Sequence, residues 1–182
     1  MWAFLGSDCL FFGSLIATYL LYRGKSITGP YPHEVFNIPY TSVSAFVLLT
    51  SSLTMVLALA AIQRGDQRGL KAWLLATALL GGVFLGGQYF EFTTFIREGL
   101  TLRANLFGST FFTLTGFHGA HVTVGVIILL SLFVTALRGR LPRERHLNVE
   151  LAGLYWHFVD VVWIVIFTVV YLVEAPNIVG AG

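Results

Sequence analysis

The stretch Phe107 to Leu137, FGSTFFTLTGFHGAHVTVGVIILLSLFVTAL, runs for 31 residues without one Asp, Glu, Lys or Arg. A helix crossing about 30 Å of hydrocarbon needs ~20 mostly apolar residues, so this segment is long enough to span and to tilt or project beyond the membrane. Working outward, four more stretches pass the same test, at 2–22, 41–62, 71–96 and 148–173. The whole composition agrees. Of 182 residues, 56% are hydrophobic, and Lys and Arg number 11 against 9 Asp and Glu; the mean hydropathy is +0.78. Soluble domains are about 25% charged, so the expectation is an all-α membrane protein, a single domain over 1–182 built as a bundle of five transmembrane helices.

Charge placement sets the expected orientation. The second and fourth loops carry Arg64, Arg68, Lys71, Arg138, Arg140, Arg143 and Arg145, whereas the opposite side carries Arg23, Lys25, Arg97 and Arg103. Basic residues favour the cytoplasmic side, which places the N-terminus inside and the C-terminus outside. Met1-Trp2-Ala3-Phe4 supplies no basic n-region of a signal peptide, so the first span is expected to remain. The single Cys excludes an internal disulfide framework, a four-Cys iron–sulfur site and a CxxCH haem attachment. Cys9 reads as a small packed residue. Basic residues confined to short loops leave no nucleic-acid footprint, and the loop Arg138 to Arg145 reads as an orientation signal and a contact for anionic headgroups.

Four charged residues fall inside the spans, Asp8, Glu91, Glu150 and Asp160, and all are acidic. A charge at the bilayer centre costs about 2.5–3.5 kcal/mol on insertion scales, so each is expected to be neutral, paired or near an interface. Glu150, Gly153, His157 and Asp160 follow one helical stripe, with His157 and Asp160 spaced to pair; His118 with His121 and Gln88 with Glu91 repeat the i, i+3 interval. Small residues in the third and fourth spans (Gly81, Gly82, Gly86, Gly87, Gly116, Gly119, Gly125) allow close helix approach. The polar set Gln88, Glu91, His118, His121, Glu150, His157 and Asp160 is read first as a structural network or lipid contact. A proton site and a bound metal or haem are the other readings, the haem held by His118, His121 or His157. Asp8 stands apart, with Leu5, Phe12 and Leu15 around it, either as a partly desolvated, proton-relevant carboxylate or as an acid favoured by the helix N-terminus.

Phe107-Gly108-Ser109-Thr110-Phe111-Phe112, then Thr115-Gly116-Phe117-His118-Gly119-Ala120-His121-Val122, and later Tyr155-Trp156-His157-Phe158-Val159-Asp160-Val161-Val162-Trp163 closely resemble subunit III of haem–copper oxidases. Gln88-Tyr89-Phe90-Glu91, Thr41-Ser42-Val43 and Leu48-Leu49-Thr50-Ser51-Ser52 are weaker echoes. The resemblance implies the five-span form, lacking the first two helices of longer members. It also implies that Gly6-Ser7-Asp8-Cys9-Leu10-Phe11-Phe12 is similar to a stretch in which the family has a carbodiimide-reactive Glu; Asp8 stands in its place. The implied protein is an accessory subunit without haem or copper of its own, in a bacterial cytoplasmic membrane. It would bind phospholipid between helices and pack on catalytic subunit I beside subunit II, in a complex that reduces oxygen with electrons from cytochrome c or quinol. Supporting proton uptake and preventing inactivation during turnover are the implied roles. A related accessory subunit of nitric-oxide reductases is the alternative within the resemblance.

Overall fold

The structure, a computed structural model, describes residues 1–22, 38–97, 99–100 and 106–172. Arg23, Lys25, Arg103 and the last residue of the expected fifth span, Val173, lie outside the described residues. The described residues are helical with no strand. Five helices are long and apolar enough to cross a membrane: α1 (Trp2–Tyr22), α2 (Ile38–Arg64), α3 (Gln67–Arg97), α4 (Leu106–Leu137) and α5 (His146–Ile166), the last continuing as a π-helical turn, Phe167–Leu172.

The second and fourth connections are tighter than expected. Only Gly65 and Asp66 separate α2 from α3, where the apolar pattern had left a loop over 63–70. The reason is capping. Gly65 takes φ +79°, its N–H bonds Ile62 O at 3.0 Å, and the Asp66 N–H bonds Ala61 O at 2.9 Å; such left-handed closure satisfies the last carbonyls of a helix and suits glycine. Asp66 Oδ1 then accepts from the Arg68 and Gly69 N–H groups at 3.1 and 2.9 Å, capping the next helix. Gly139, at φ +68°, closes α4 in the same way.

Helices α2, α3, α4 and α5 form an antiparallel ring in which each contacts its two neighbours, and α2 with α3 make the most extensive interface. Lipid offers helices no hydrophobic drive to associate, so close packing and polar links must hold them. Trp156 of α5 shows the packing: a Cβ added at Gly81 of α3 would meet its Cη2 at 2.5 Å, and one at Gly125 of α4 would meet its Cζ3 at 2.7 Å. The indole occupies a slot that two missing side chains create. α1 lies outside the ring, mainly along α4 with a lesser contact to α5. It encloses only Leu5, Phe12 and Tyr19, spaced seven residues apart, the interval of a single coiled-coil seam. Cys9 is exposed rather than packed, because it falls off that seam.

Candidate functional site

Most hydroxyls in these helices bond back to their own backbone, but a smaller set ties helices together. Thr41 Oγ1 of α2 donates to Glu91 Oε1 of α3 at 2.6 Å, and Tyr171 also reaches this carboxylate. Tyr171 comes from the π-helical turn, where Val170 and Tyr171 are both buried. About three turns further along α2, Ser51 Oγ accepts from Trp156 Nε1 at 2.9 Å, Ser52 Oγ meets His157 Nδ1 at 2.6 Å and Thr54 shares a 2.8 Å bond with Thr77. Gln88 Nε2 donates to Thr115 O at 2.8 Å, and Tyr155 OH to His121 O at 3.0 Å. Each link answers a polar group that hydrocarbon could not satisfy.

The expected pairings within helices are therefore largely exchanged for pairings between them. His157 turns to Ser52, and no ion pair joins it to Asp160. Asp160 is 2% exposed, lies near Ser52, and has neither carboxylate oxygen hydrogen-bonded. Glu150 is half-buried at the start of α5. Gln88 and Glu91 share a spacing but diverge, the first to α4 and the second to α2. His118 and His121 also part. His118 is fully buried, stacked on Trp163 at 4.9 Å and edge-packed by Phe84 and Phe12.

His121 points the other way, to α1. Its Nε2 stands 3.5 Å from Asp8 Oδ2, with the two side chains 20% and 13% exposed. The ring's Nδ1 lies 2.7 Å from Phe117 O. A carbonyl only accepts, so Nδ1 carries the hydrogen and Nε2 presents a lone pair whenever the ring is neutral. Asp8 and His121 thus face each other as two acceptors unless one proton sits on either. Phe11 and Phe12 cover the pair from α1. Among the described residues, this acid–imidazole couple at the α1–α4 seam brings a carboxylate and an imidazole nitrogen within 3.5 Å. Helical periodicity missed it, along with Thr41, Ser51, Ser52, Thr54, Thr77 and Tyr155, although two of the α2 polar runs stood out in the motif comparison.

Among the described residues, no three His, Cys, Asp or Glu side chains gather where they could hold a metal ion. Neither ring nitrogen of His118 has a hydrogen-bond partner, but its ring is enclosed by Trp163, Phe84 and Phe12, while His121 and His157 engage Phe117 O and Ser52.

The sequence model described as cytochrome c oxidase subunit III matches residues 1–175. The chain belongs to the cytochrome c oxidase subunit III family. Cytochrome c oxidase subunit 3 of Bacillus sp. strain PS3 is 41% identical over 171 residues, covering 94% of this chain and 83% of the relative. Quinol oxidase subunit 3 of Bacillus spizizenii is 37% identical over 171 residues, covering 94% and 84%. Cytochrome bo(3) ubiquinol oxidase subunit 3 of Pseudomonas aeruginosa is 38% identical over 174 residues, covering 96% and 83%. The subunit III motifs of the sequence map onto the linking residues: His121 and Tyr155 meet between α4 and α5, and Ser52 and His157 between α2 and α5. The protein is a multi-pass membrane member of this oxidase subunit family.

Proposed function

We propose that this chain is the accessory subunit III of a terminal haem–copper oxidase in a bacterial cytoplasmic membrane, a single five-helix domain with its N-terminus inside. It packs on catalytic subunit I in a complex with subunit II, holds phospholipid and supports proton uptake and stability of the catalytic subunit during oxygen reduction. Haem and copper reside in the partner subunits. Gln88, Glu91, His118, His121, Glu150, His157 and Asp160 act as the structural polar network and lipid contacts, and Asp8 as the proton-relevant carboxylate.

The observation that carries the proton role is the Asp8–His121 couple. Its tautomer is set by a backbone carbonyl, so the Nε2 lone pair of His121 faces the Asp8 carboxylate across 3.5 Å at a partly open seam. The basic excess of the α2–α3 and α4–α5 turns supports the orientation. The test uses the purified complex. Asp8→Asn and His121→Gln should leave subunit assembly intact while shortening the number of turnovers before inactivation, whereas the neighbouring Cys9→Ala should not. Wild-type lifetimes in both variants would refute the proton role. Copurification with a nitric-oxide reductase catalytic subunit would overturn the oxidase assignment itself.

A further inference from the structure

The bond between Ser52 and His157 uses one ring nitrogen and leaves the other. Ser52 Oγ stands 2.6 Å from His157 Nδ1, and among the described residues nothing bonds Nε2. The hydroxyl fixes the direction. Neither oxygen of Asp160 is hydrogen-bonded, so among the described residues the Ser52 hydrogen has Nδ1 as its acceptor. A neutral imidazole that accepts at Nδ1 carries its hydrogen on Nε2. Unlike the ring nitrogens of His118, Nε2 is not enclosed, and the half-buried His157 therefore presents an N–H donor on the outside of the four-helix ring.

That donor sits at a depth where neither water nor lipid answers it. From His146 at the start of α5 to His157 the helix rises about 16 Å at ~1.5 Å per residue, close to the middle of a hydrocarbon core about 30 Å thick. The neighbours of His157 on its outer stripe, Val161 and Ile164, and those of Ser52 on α2, Leu49 and Val56, are apolar and exposed. Glu150, on the same stripe, lies about 10 Å back toward the α4–α5 turn. Acyl chains carry no acceptor and lipid ester oxygens stay at the interface, so an unanswered N–H here costs free energy that another protein chain can restore.

We propose that the outer α2–α5 face is the surface by which this chain docks on its catalytic partner, with the His157 Nε2–H donating to an acceptor oxygen on a membrane-spanning helix of that subunit. The acceptor is a hydroxyl, amide or carboxylate oxygen at the depth of His157, set among side chains that pack on Leu49, Val56, Val161 and Ile164. A second copy set against this face by twofold symmetry would meet the donor with the same donor at the same depth, so a chain of different sequence is the fitting occupant. The proposal rests on the assembly with a catalytic subunit given above and adds the face and the bond that form it. It is separate from the Asp8–His121 seam, which lies on the α1 side of the bundle.

The test uses the intact oxidase, purified through a tag on the catalytic subunit, with the fraction of this chain retained measured over a detergent titration. His157→Asn, whose short amide reaches Ser52 but not the outer position, should weaken retention roughly 3- to 20-fold, the range of one interhelical hydrogen bond in a membrane. His157→Gln, whose amide nitrogen reaches the place of Nε2, should stay near wild type. Val161→Trp adds bulk at an exposed position of the face and should release the chain, whereas Ile127→Trp, at an exposed position of α4, should change nothing. Wild-type retention of both His157→Asn and Val161→Trp, with unchanged helicity, would overturn the docking face. Equal loss in His157→Asn and His157→Gln would give the ring an internal role and overturn the bond. Two differently tagged copies recovered together, and separated by Val161→Trp, would assign the face to a second copy and overturn the choice of partner. Absence of the wild-type chain from the tagged complex would refute the assembly itself, a result distinct from all of these.

Discussion

Gly125→Ala places a methyl 2.7 and 2.8 Å from Trp156 Cζ3 and Cε3, with Tyr155 Cε1 at an ordinary 3.4 Å. Two effects oppose each other. Replacing glycine inside a helix gains about 1 kcal/mol of propensity, while overpacking a filled core costs about 1–3 kcal/mol. The expected net is a loss of about 1 kcal/mol. Gly116→Ala on the same helix meets nothing within 4 Å, so it should show the propensity gain alone. The difference between the two variants isolates the collision, about 1–3 kcal/mol. Trp156→Phe removes much of the ring in the slot, and in that background Gly125→Ala should cost less by at least about 1 kcal/mol, a coupling within the range of contacting pairs. Reversible unfolding of the purified chain in mixed micelles, followed by helical circular dichroism, measures the four variants against the wild type. If Gly125→Ala unfolds like Gly116→Ala, or adds without coupling to Trp156→Phe, the slot is not a determinant of packing.

Thr41→Val removes the donor to buried Glu91 at 2.6 Å and should lower stability by about 1–3 kcal/mol in the same unfolding assay, with Thr41→Ser largely restoring it. Ser51→Ala strips Trp156 Nε1 of its acceptor; a loss of about 1–2 kcal/mol, with a blue shift of tryptophan fluorescence, is the expected outcome. Asp66→Ala abolishes the cap of α3 and should cost about 1 kcal/mol, whereas Asp66→Asn should be nearly neutral. A hydrophobic carbodiimide should modify Asp8 in the intact chain, and peptide mapping that finds no adduct there would count against its apolar setting.

The five helices were legible because hydropathy reports which segments exclude water over a bilayer's thickness. Their ends were not. Gln63, Arg64, Arg68 and Gly69 are polar or small and look like loop, yet they are helical because Gly65 and Asp66 cap both neighbours; capping is a hydrogen-bond property that an apolar count does not register. The polar set was legible as a set, since acids and imidazoles stand out against apolar sequence. Its pairing was not, because helical spacing tells which residues share one face of one helix and says nothing of which helix lies opposite. Asp8 and His121 meet only because α1 runs antiparallel to α4, and Ser52 takes His157 from Asp160 only because α2 closes the ring against α5. The small residues were a better guide: Gly81 and Gly125 marked a close approach, although the indole that fills it was not visible in the spacing.

α1 contributes one enclosed side chain for every two helical turns. Substitutions at its exposed positions, away from that seam and from the Asp8 and Phe11 contacts with α4, are consequently judged by whatever neighbours the bundle, not by the bundle's own interior. A scaffold of this kind can exchange its outer coat, adapting to a new assembly or a bilayer of different thickness, while the four-helix ring behind it keeps its sequence.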